Sequence, residues 1–285
     1  MKRTLLALAM GAAISTGASA GLVSLPGGPL VINFNGLEQI ALAGTTGYAN
    51  ENNWGVIVVN SIEKGSKLPN SNTVLPGSQV YHDSATDQIT GMFYGVQILP
   101  PGTGGNAFPA TSGFLDLYYR DSSALGYSDL TSASAGQRTS QTTANGFTDG
   151  TLLIHLAFTS GINADGSVFI AGSVVPTIGT DFHGLATSFA DVDTSTMGLW
   201  SNKFNTGGFK GANGETPDFT FRNNYENFAA NGWTNCTPTV DNPSCIVGAY
   251  LSDPAAGISV PEPGSLALLG AGLLAVGASR RRKVQ

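Results

Sequence analysis

The chain has 285 residues, among them 38 Gly, 14 Pro and 25 aromatic residues, and its formal net charge is −6 at pH 7. Glycine shows no three-residue period and there are no heptad repeats, which excludes collagen and a long coiled coil. The sequence pI of about 4.9 argues against a basic nucleic-acid-binding surface, so we expect no nucleic-acid partner.

The amino end has the three parts of a Sec-type signal peptide. A short positive segment, Met1–Arg3, precedes an apolar stretch at residues 4–13. Ala18 and Ala20 then give the small-x-small pattern of a cleavage site, which makes Gly21 the first residue of the mature protein. We therefore expect export by the Sec pathway, with signal peptidase as the first processing partner.

The body alternates short apolar runs with clusters of Gly, Asn, Asp, Pro and Ser, a pattern typical of β-strands joined by turns. It predicts a mainly β fold, as one β-sandwich or jelly-roll-like domain. The predicted strands are Leu30–Phe34, Trp54–Val59, Gln88–Leu99, Gly113–Tyr119, Thr151–Ser160, Gly166–Val175, Asp218–Phe221 and Ile246–Ser252.

Three segments of the body carry a more local prediction. Asn163–Gly166 lies between two apolar runs and contains Asp-Gly, which predicts a tight hairpin. Phe182–Ala190 and Asn223–Ala230 are the two stretches that suggest helix.

No motif of the body indicates an enzyme. The three histidines are His82, His155 and His183, and the sequence has no Gly-x-Ser-x-Gly, His-Glu-x-x-His, Cys-x-x-Cys or P-loop pattern. His155 lies within an apolar strand, where a structural histidine is the favoured interpretation. We therefore predict no catalytic residue and no enzymatic activity.

A calcium site is the one metal site that the sequence suggests. Asp191, Asp193 and Ser195 place oxygen atoms at alternate positions, as calcium-binding loops do. The residues at loop positions six and twelve of an EF-hand would be Thr196 and Asn202, which do not fit. We predict no cofactor and no metal, and name these three residues as the ligands that Ca²⁺ would use.

Two cysteines, Cys236 and Cys245, lie in the last part of the body. The eight residues between them are rich in Pro, Asn, Asp and Ser, which favour turns, so the two cysteines can approach each other. After export they lie in an oxidising compartment, where disulfide bonds form. We predict a disulfide bond between them.

The carboxyl end has a second three-part pattern. Val260-Pro261-Glu262-Pro263 precedes an apolar segment, 265–279, which as a helix would be about 22 Å long. Counted from Val260, the segment has 20 residues and can just span a membrane. The basic residues that follow, Arg280, Arg281, Arg282 and Lys283, favour a cytoplasmic end.

This order of Val-Pro-Glu-Pro, short apolar helix and basic end resembles the PEP-CTERM sorting signal of Gram-negative, biofilm-forming bacteria. The resemblance covers residues 260–285 and implies recognition by an exosortase, with cleavage near Pro261–Pro263. It also implies transient anchoring in the inner membrane, followed by transfer to the cell surface or the extracellular matrix.

Together these patterns predict a signal peptide at 1–20, an extracellular β-rich domain at 21–255, and a sorting signal with a transmembrane helix at 256–285. The body carries 18 acidic and seven basic residues. We expect a non-enzymatic surface or matrix protein that supports biofilm formation or flocculation by associating with exopolysaccharide. A secreted carbohydrate-active hydrolase and a calcium-dependent lectin-like module are the alternatives.

Overall fold

The computed structural model describes residues 25–41, 43–44, 49–84, 86–100, 108–121, 130–176, 182–227, 233, 245–252 and 254–260. Three predictions lie outside these residues. They are the signal peptide with its cleavage site at Ala18, Ala20 and Gly21, the disulfide bond between Cys236 and Cys245, whose side chains are not described, and the segment from Pro261 to Gln285.

The described residues form strands almost throughout, which confirms the mainly β prediction. A 3-10 turn at Ser132–Ser134 and the four-residue helix α1 (Ser201–Phe204) are the helical segments in these ranges, and neither has the length or apolar character of a membrane crossing. The strands are β1 (Gly28–Ala41), β2 (Asn52–Lys64), β3 (Ser66–Lys67), β4 (Val74–Leu75), β5 (Gln79–His82), β6 (Asp87–Ile98), β7 (Phe108–Thr111), β8 (Phe114–Asp121), β9 (Arg138–Ser140), β10 (Thr143–Ala144), β11 (Thr151–Thr159), β12 (Ile170–Pro176), β13 (Phe182–Val192), β14 (Phe219–Asn227), β15 (Cys245–Ser252) and β16 (Ala255–Ser259).

Twelve of these strands form one antiparallel sheet that returns to its own beginning. Several strands follow one another along the same line, so that β5 with β6, β7 with β8, β11 with β12, and β15 with β16 each occupy one position in the wall. With β1, β2, β13 and β14 this gives eight positions in chain order, and the last position pairs with β1. We call this arrangement the closed sheet.

The pairing that closes the sheet joins the two ends of the body. Gly28 lies opposite Ser259 and Asn35 opposite Ser252, so β1 pairs with β16 and β15 in turn. Closure removes the two long edges that an open sheet would expose, and among the described strands of this sheet β5 alone pairs on one side only. The domain predicted to end at residue 255 therefore continues in the wall through Ser259.

Neighbours in the closed sheet are neighbours in the chain, which gives a meander and not the crossing order of a jelly roll. Opposite parts of the wall do face each other across a common core, as the two layers of a sandwich do. The predicted hairpin around Asn163–Gly166 is wrong, because β11 and β12 do not pair with each other. Both strands pair with β13, and the residues between them loop out of the wall.

The two helix predictions are also wrong over the residues that the structure describes. Phe182–Ala190 lies in β13, which is paired with β14 on one side and with β12 followed by β11 on the other. The first part of Asn223–Ala230 belongs to β14. Hydrogen bonds to two neighbouring strands outweigh the weak local preference of these segments for helix.

The interior of the closed sheet is filled at one end by aliphatic and aromatic side chains. Trp200 and Phe204, which flank and end α1, close this end against Phe219, and the Phe204 and Phe219 ring centroids lie 4.9 Å apart. Gly257 of β16 allows this close packing, because a Cβ atom there would lie 2.6 Å from the Phe219 ring. Further members of this core are Leu25, Leu30, Ile32, Ile62, Tyr81, Ile89, Leu117, Tyr119, Leu153, Ile154, Val192 and Ala255.

A second apolar layer covers the outside of β1, β2 and β6. It is contributed by residues 130–147 and Trp233, which pack on Leu37, Trp54 and Met92. Buried polar side chains hold it in place. The Gln39 side chain accepts a hydrogen bond from Trp54 Nε1 at 2.9 Å and donates one to the Trp233 carbonyl at 3.0 Å, while the Arg138 guanidinium lies 3.6 Å from the centre of the Trp54 ring.

Asp218 organises the segment that follows α1. Its carboxylate, on a residue only 3% exposed, accepts hydrogen bonds from the N–H groups of Val192 at 2.9 Å, Thr206 at 2.6 Å and Gly207 at 2.7 Å. One side chain therefore ties the end of β13 to the loop that leads into β14.

We expect Asp218→Ala to lower the free energy of unfolding by about 2–4 kcal/mol, because one buried and two partly buried N–H donors lose a charged acceptor. Denaturant titration measures this loss. The matched control is Asp165→Ala, which removes a carboxylate that accepts the Ser167 N–H at 3.0 Å in an exposed turn. A loss for the control as large as that for Asp218→Ala would contradict the assignment.

Candidate functional site

The closed sheet contains a cavity of about 180 Å³, partly open to solvent, toward the end opposite α1. All eight positions of the wall contribute to its lining, so the cavity exists because the sheet is closed. Its apolar lining residues are Phe34, Ile40, Ile57, Phe93, Val96, Ile98, Ala110, Leu115, Phe158, Ile170, Ala186, Phe221 and Leu251.

The cavity is left open by small residues on β12 and β13. Gly172, Ala186 and Ser188 line this side of the wall, where larger side chains would fill the space. On the other side Gly55 accepts the Phe93 ring against its backbone, since a Cβ atom there would lie 2.3 Å from that ring. The volume of the cavity therefore depends on the small residues of β12 and β13, together with the position of the Phe93 ring against Gly55.

Polar groups gather at one part of the lining. Asn53, which is 7% exposed, donates from Nδ2 to Glu38 Oε1 at 3.0 Å. Glu51 lines the same region, and burial raises the pKa of its carboxyl above the ordinary value, opposed by a hydrogen bond from Asn53. The Asn53 amide thus lies beside two carboxyl groups.

Two amide oxygens in this lining have no hydrogen-bond partner among the described residues. They are Oδ1 of Asn53 and Oδ1 of Asn223, and both atoms are buried. The orientation of Asn53 is fixed because its Nδ2 already donates to Glu38. A buried acceptor without a donor costs about 1–3 kcal/mol, so a group that donates to these atoms is stabilised there.

Tyr225 completes the polar part of the cavity. Burial, and secondarily the negative charge of Glu38, raise the pKa of its hydroxyl to about 12. Tyr225 is therefore neutral at physiological pH, and the formal negative charge of the lining comes from Glu38 and Glu51.

His155, the histidine predicted to be structural, lies on the outer face of the wall in a second polar cluster. Its Nδ1 pairs with Asp116 Oδ1, directly across from it on β8, and its Nε2 lies 3.5 Å from Asp193 Oδ2. Asp116 also accepts a hydrogen bond from the Tyr94 hydroxyl at 3.0 Å, and the Phe114 ring stacks on the imidazole.

The charges of this cluster shift the pKa values of its members. The hydrogen bond to Asp116 is the largest cause of a raised His155 pKa, and burial opposes it. Burial and the charge of Asp116 raise the pKa of Tyr118 to about 12. Because both imidazole nitrogens face carboxylates, the geometry is that of an ion-pair clamp between β8, β11 and the end of β13.

The three residues named for Ca²⁺ do not converge. Asp191 Oδ1 accepts the Asp218 N–H at 3.2 Å, whereas Asp193 accepts the Ser195 N–H at 2.8 Å and faces His155. Burial raises the pKa of Asp191. Within the ranges that the structure describes, no group of three or more His, Cys, Asp or Glu side chains is arranged to hold a metal ion.

The predicted sorting segment begins where the wall ends. Ser259 is the last residue of β16, its hydroxyl donates to the Pro26 carbonyl, and the Val260 N–H donates to the Lys203 carbonyl at 2.8 Å. Val260 itself is 43% exposed. One residue therefore separates the closing strand from Pro261.

Comparison with protein families identifies this same segment. Residues 259–283 match the PEP-CTERM protein-sorting motif, which agrees with the pattern seen in the sequence. Neither the curated proteins nor the solved structures give a match to this chain. The match covers the sorting segment and leaves the closed sheet unassigned.

We expect His155→Gln to destabilise the protein more at pH 5.5 than at pH 8.5. The folded-state pKa of His155 is raised above 6.5, so its pairing stabilises the fold below the unfolded pKa and is lost as pH rises through the folded pKa. Thermal unfolding at the two pH values measures the difference. His82→Gln, which changes an exposed histidine, is the control. An equal effect of His155→Gln at both pH values would contradict the ion-pair clamp.

Proposed function

Starting from a chain that carries a PEP-CTERM sorting motif, we propose a non-enzymatic surface or extracellular-matrix protein whose body binds a small, mainly apolar molecule. The motif itself implies export, transient membrane anchoring and processing by an exosortase. The binding role of the body is our proposal, and the internal cavity is the observation that carries it.

The size and lining of the cavity support this role. An apolar cavity of about 150 Å³ stays dry and takes up benzene, so a cavity of about 180 Å³ suits a molecule of about six to ten non-hydrogen atoms. An eight-position closed sheet has an interior just wide enough for side chains or for one small ligand. Here the small residues on β12 and β13 leave enough space for one small ligand.

A hydrolase is the alternative that the same cavity raises, because Glu38 and Glu51 are two carboxyl groups in one site. A glycosidase needs two such groups on either side of a bond between sugar rings. The Asn53 amide lies beside both carboxyl groups and donates to Glu38, and the rest of the lining is mainly apolar. These features favour binding over hydrolysis.

The setting of this binding role follows from the sorting motif and from charge. We propose that the processed protein supports biofilm formation or flocculation in association with exopolysaccharide. Supporting this, the body carries 18 acidic and seven basic residues, which keeps it soluble among neutral and cation-bridged polysaccharide chains. A calcium-dependent lectin would instead gain thermal stability from CaCl₂, which separates the two hypotheses.

We expect Ala186→Phe to abolish binding of toluene, because Ala186 lines the cavity and the larger side chain would fill part of it. Ligand-detected NMR with toluene, a probe without hydrogen-bonding groups, measures this. Leu185→Phe is the matched control, since Leu185 is the neighbouring residue of β13 and is 38% exposed. Toluene binding that survives Ala186→Phe, or that is absent from the unsubstituted protein, would overturn the proposed cavity.

A separate experiment tests the sorting of the chain. Intact-mass analysis of the protein produced with and without an active exosortase should give a mature chain from Gly21 to about Pro263 in the first case alone. Additional mass on that carboxyl end would identify the group to which the body is transferred. A chain that ends at Gln285 under both conditions would contradict exosortase processing.

A further inference from the structure

We infer that the molecule bound in the cavity carries a positively charged, hydrogen-bond-donating head, of which a primary ammonium group on a small apolar body is the simplest form. This inference rests on the proposed binding function and deepens it. It names the chemistry that the polar part of the lining selects.

The first argument is the direction of the available hydrogen bonds. The buried Oδ1 atoms of Asn53 and Asn223 have no donor among the residues that the structure describes, and the Glu51 carboxyl group in the same lining is an acceptor as well. A ligand that supplies donors satisfies these atoms, while a ligand that supplies acceptors leaves them unpaired. An ammonium group has three donors and no acceptor.

The second argument is charge. The lining contains two carboxyl groups and, among the residues that the structure describes, no Lys, Arg or His. Burial disfavours the charged form of Glu51, and a ligand that brings a cation beside this carboxyl group offsets part of that cost. An anionic ligand of the same size would meet like charge instead.

The third argument is the placement of the aromatic rings. Phe34, Phe93, Phe158 and Phe221 belong to the core or pack against it, whereas the Asn53 amide lies beside the carboxyl groups of Glu38 and Glu51. The Phe158 and Phe221 rings are 5.6 Å apart at an angle of 66°, which forms an edge-to-face wall. A ligand with an apolar body at one end and a charged head at the other matches this division.

The test uses three probes that share one body and differ in the head group: 2-phenylethylamine, 2-phenylethanol and phenylacetate. Isothermal titration of the protein at pH 7.5 should give affinities in the order amine, alcohol, acid, with the amine about tenfold tighter than the alcohol. Equal affinity for all three, or preference for phenylacetate, would overturn the inference.

Variants of the polar residues locate the effect. Asn53→Ala and Glu51→Gln should each reduce the preference for the amine over the alcohol by about tenfold while toluene still binds. The matched control is Glu226→Gln, which removes an exposed carboxylate from the residue next to Tyr225 and should leave the preference unchanged. An unchanged preference in Glu51→Gln and Asn53→Ala together would assign the selectivity elsewhere and overturn the inference.

The pH dependence gives an independent check. The groups that titrate around the head are Glu38, Glu51 and Tyr225, and burial raises the pKa of Glu51 above its ordinary value of 4.5. Amine binding should therefore strengthen as pH rises from 4.5 toward neutrality, when Glu51 becomes charged, and toluene binding should stay constant. Displacement of the amine by millimolar CaCl₂ would identify a metal site and overturn the inference.

The design separates the two proposals. If toluene binds but the three head groups are not distinguished, the cavity remains a binding site and the inference about its ligand fails. If toluene does not bind, the proposed binding function itself fails.

Discussion

Closure of the sheet is the constraint on which the rest of this structure depends. β1 pairs with β2 on one side and with β15 and β16 on the other, so its backbone groups are satisfied only when the two ends of the body meet. The interior core, the cavity and the position of the sorting segment all follow from this pairing. The outer layer held by Gln39 and Arg138 then protects the part of the wall that includes this first strand.

Most strands could be predicted from the sequence because they carry large β-branched and aromatic residues. The segment of β13 could not, since its inward face alternates Gly184, Ala186 and Ser188, which give no apolar signal with a period of two. The Asp-Gly pair at residues 165–166 does form a turn, but its flanking strands pair with a third strand. In both segments the structure is determined by pairing with strands that are distant in the chain, and a local sequence pattern carries no information about that pairing.

The candidate site was harder to predict than the fold. Glu38, Glu51, Asn53 and Asn223 are ordinary polar residues in or beside strands, and no spacing links them in the sequence. Register brings them to the lining of one cavity, where Asn53 is buried and the other three are partly buried. The histidines attracted attention because of their chemistry, yet His155 serves a clamp outside the wall. The one sequence feature that pointed to this site is the presence of Glu38 and Glu51 in a body that contains few glutamates.

The pairing of Gly28 with Ser259 joins residues that are 231 positions apart. Loops of this length close slowly, and folds dominated by such distant contacts complete late. A chain that is exported amino end first cannot complete its wall until the closing strand has crossed the membrane. Because the sorting segment follows Ser259 at once, the moment at which folding can finish is also the moment at which the segment reaches the membrane.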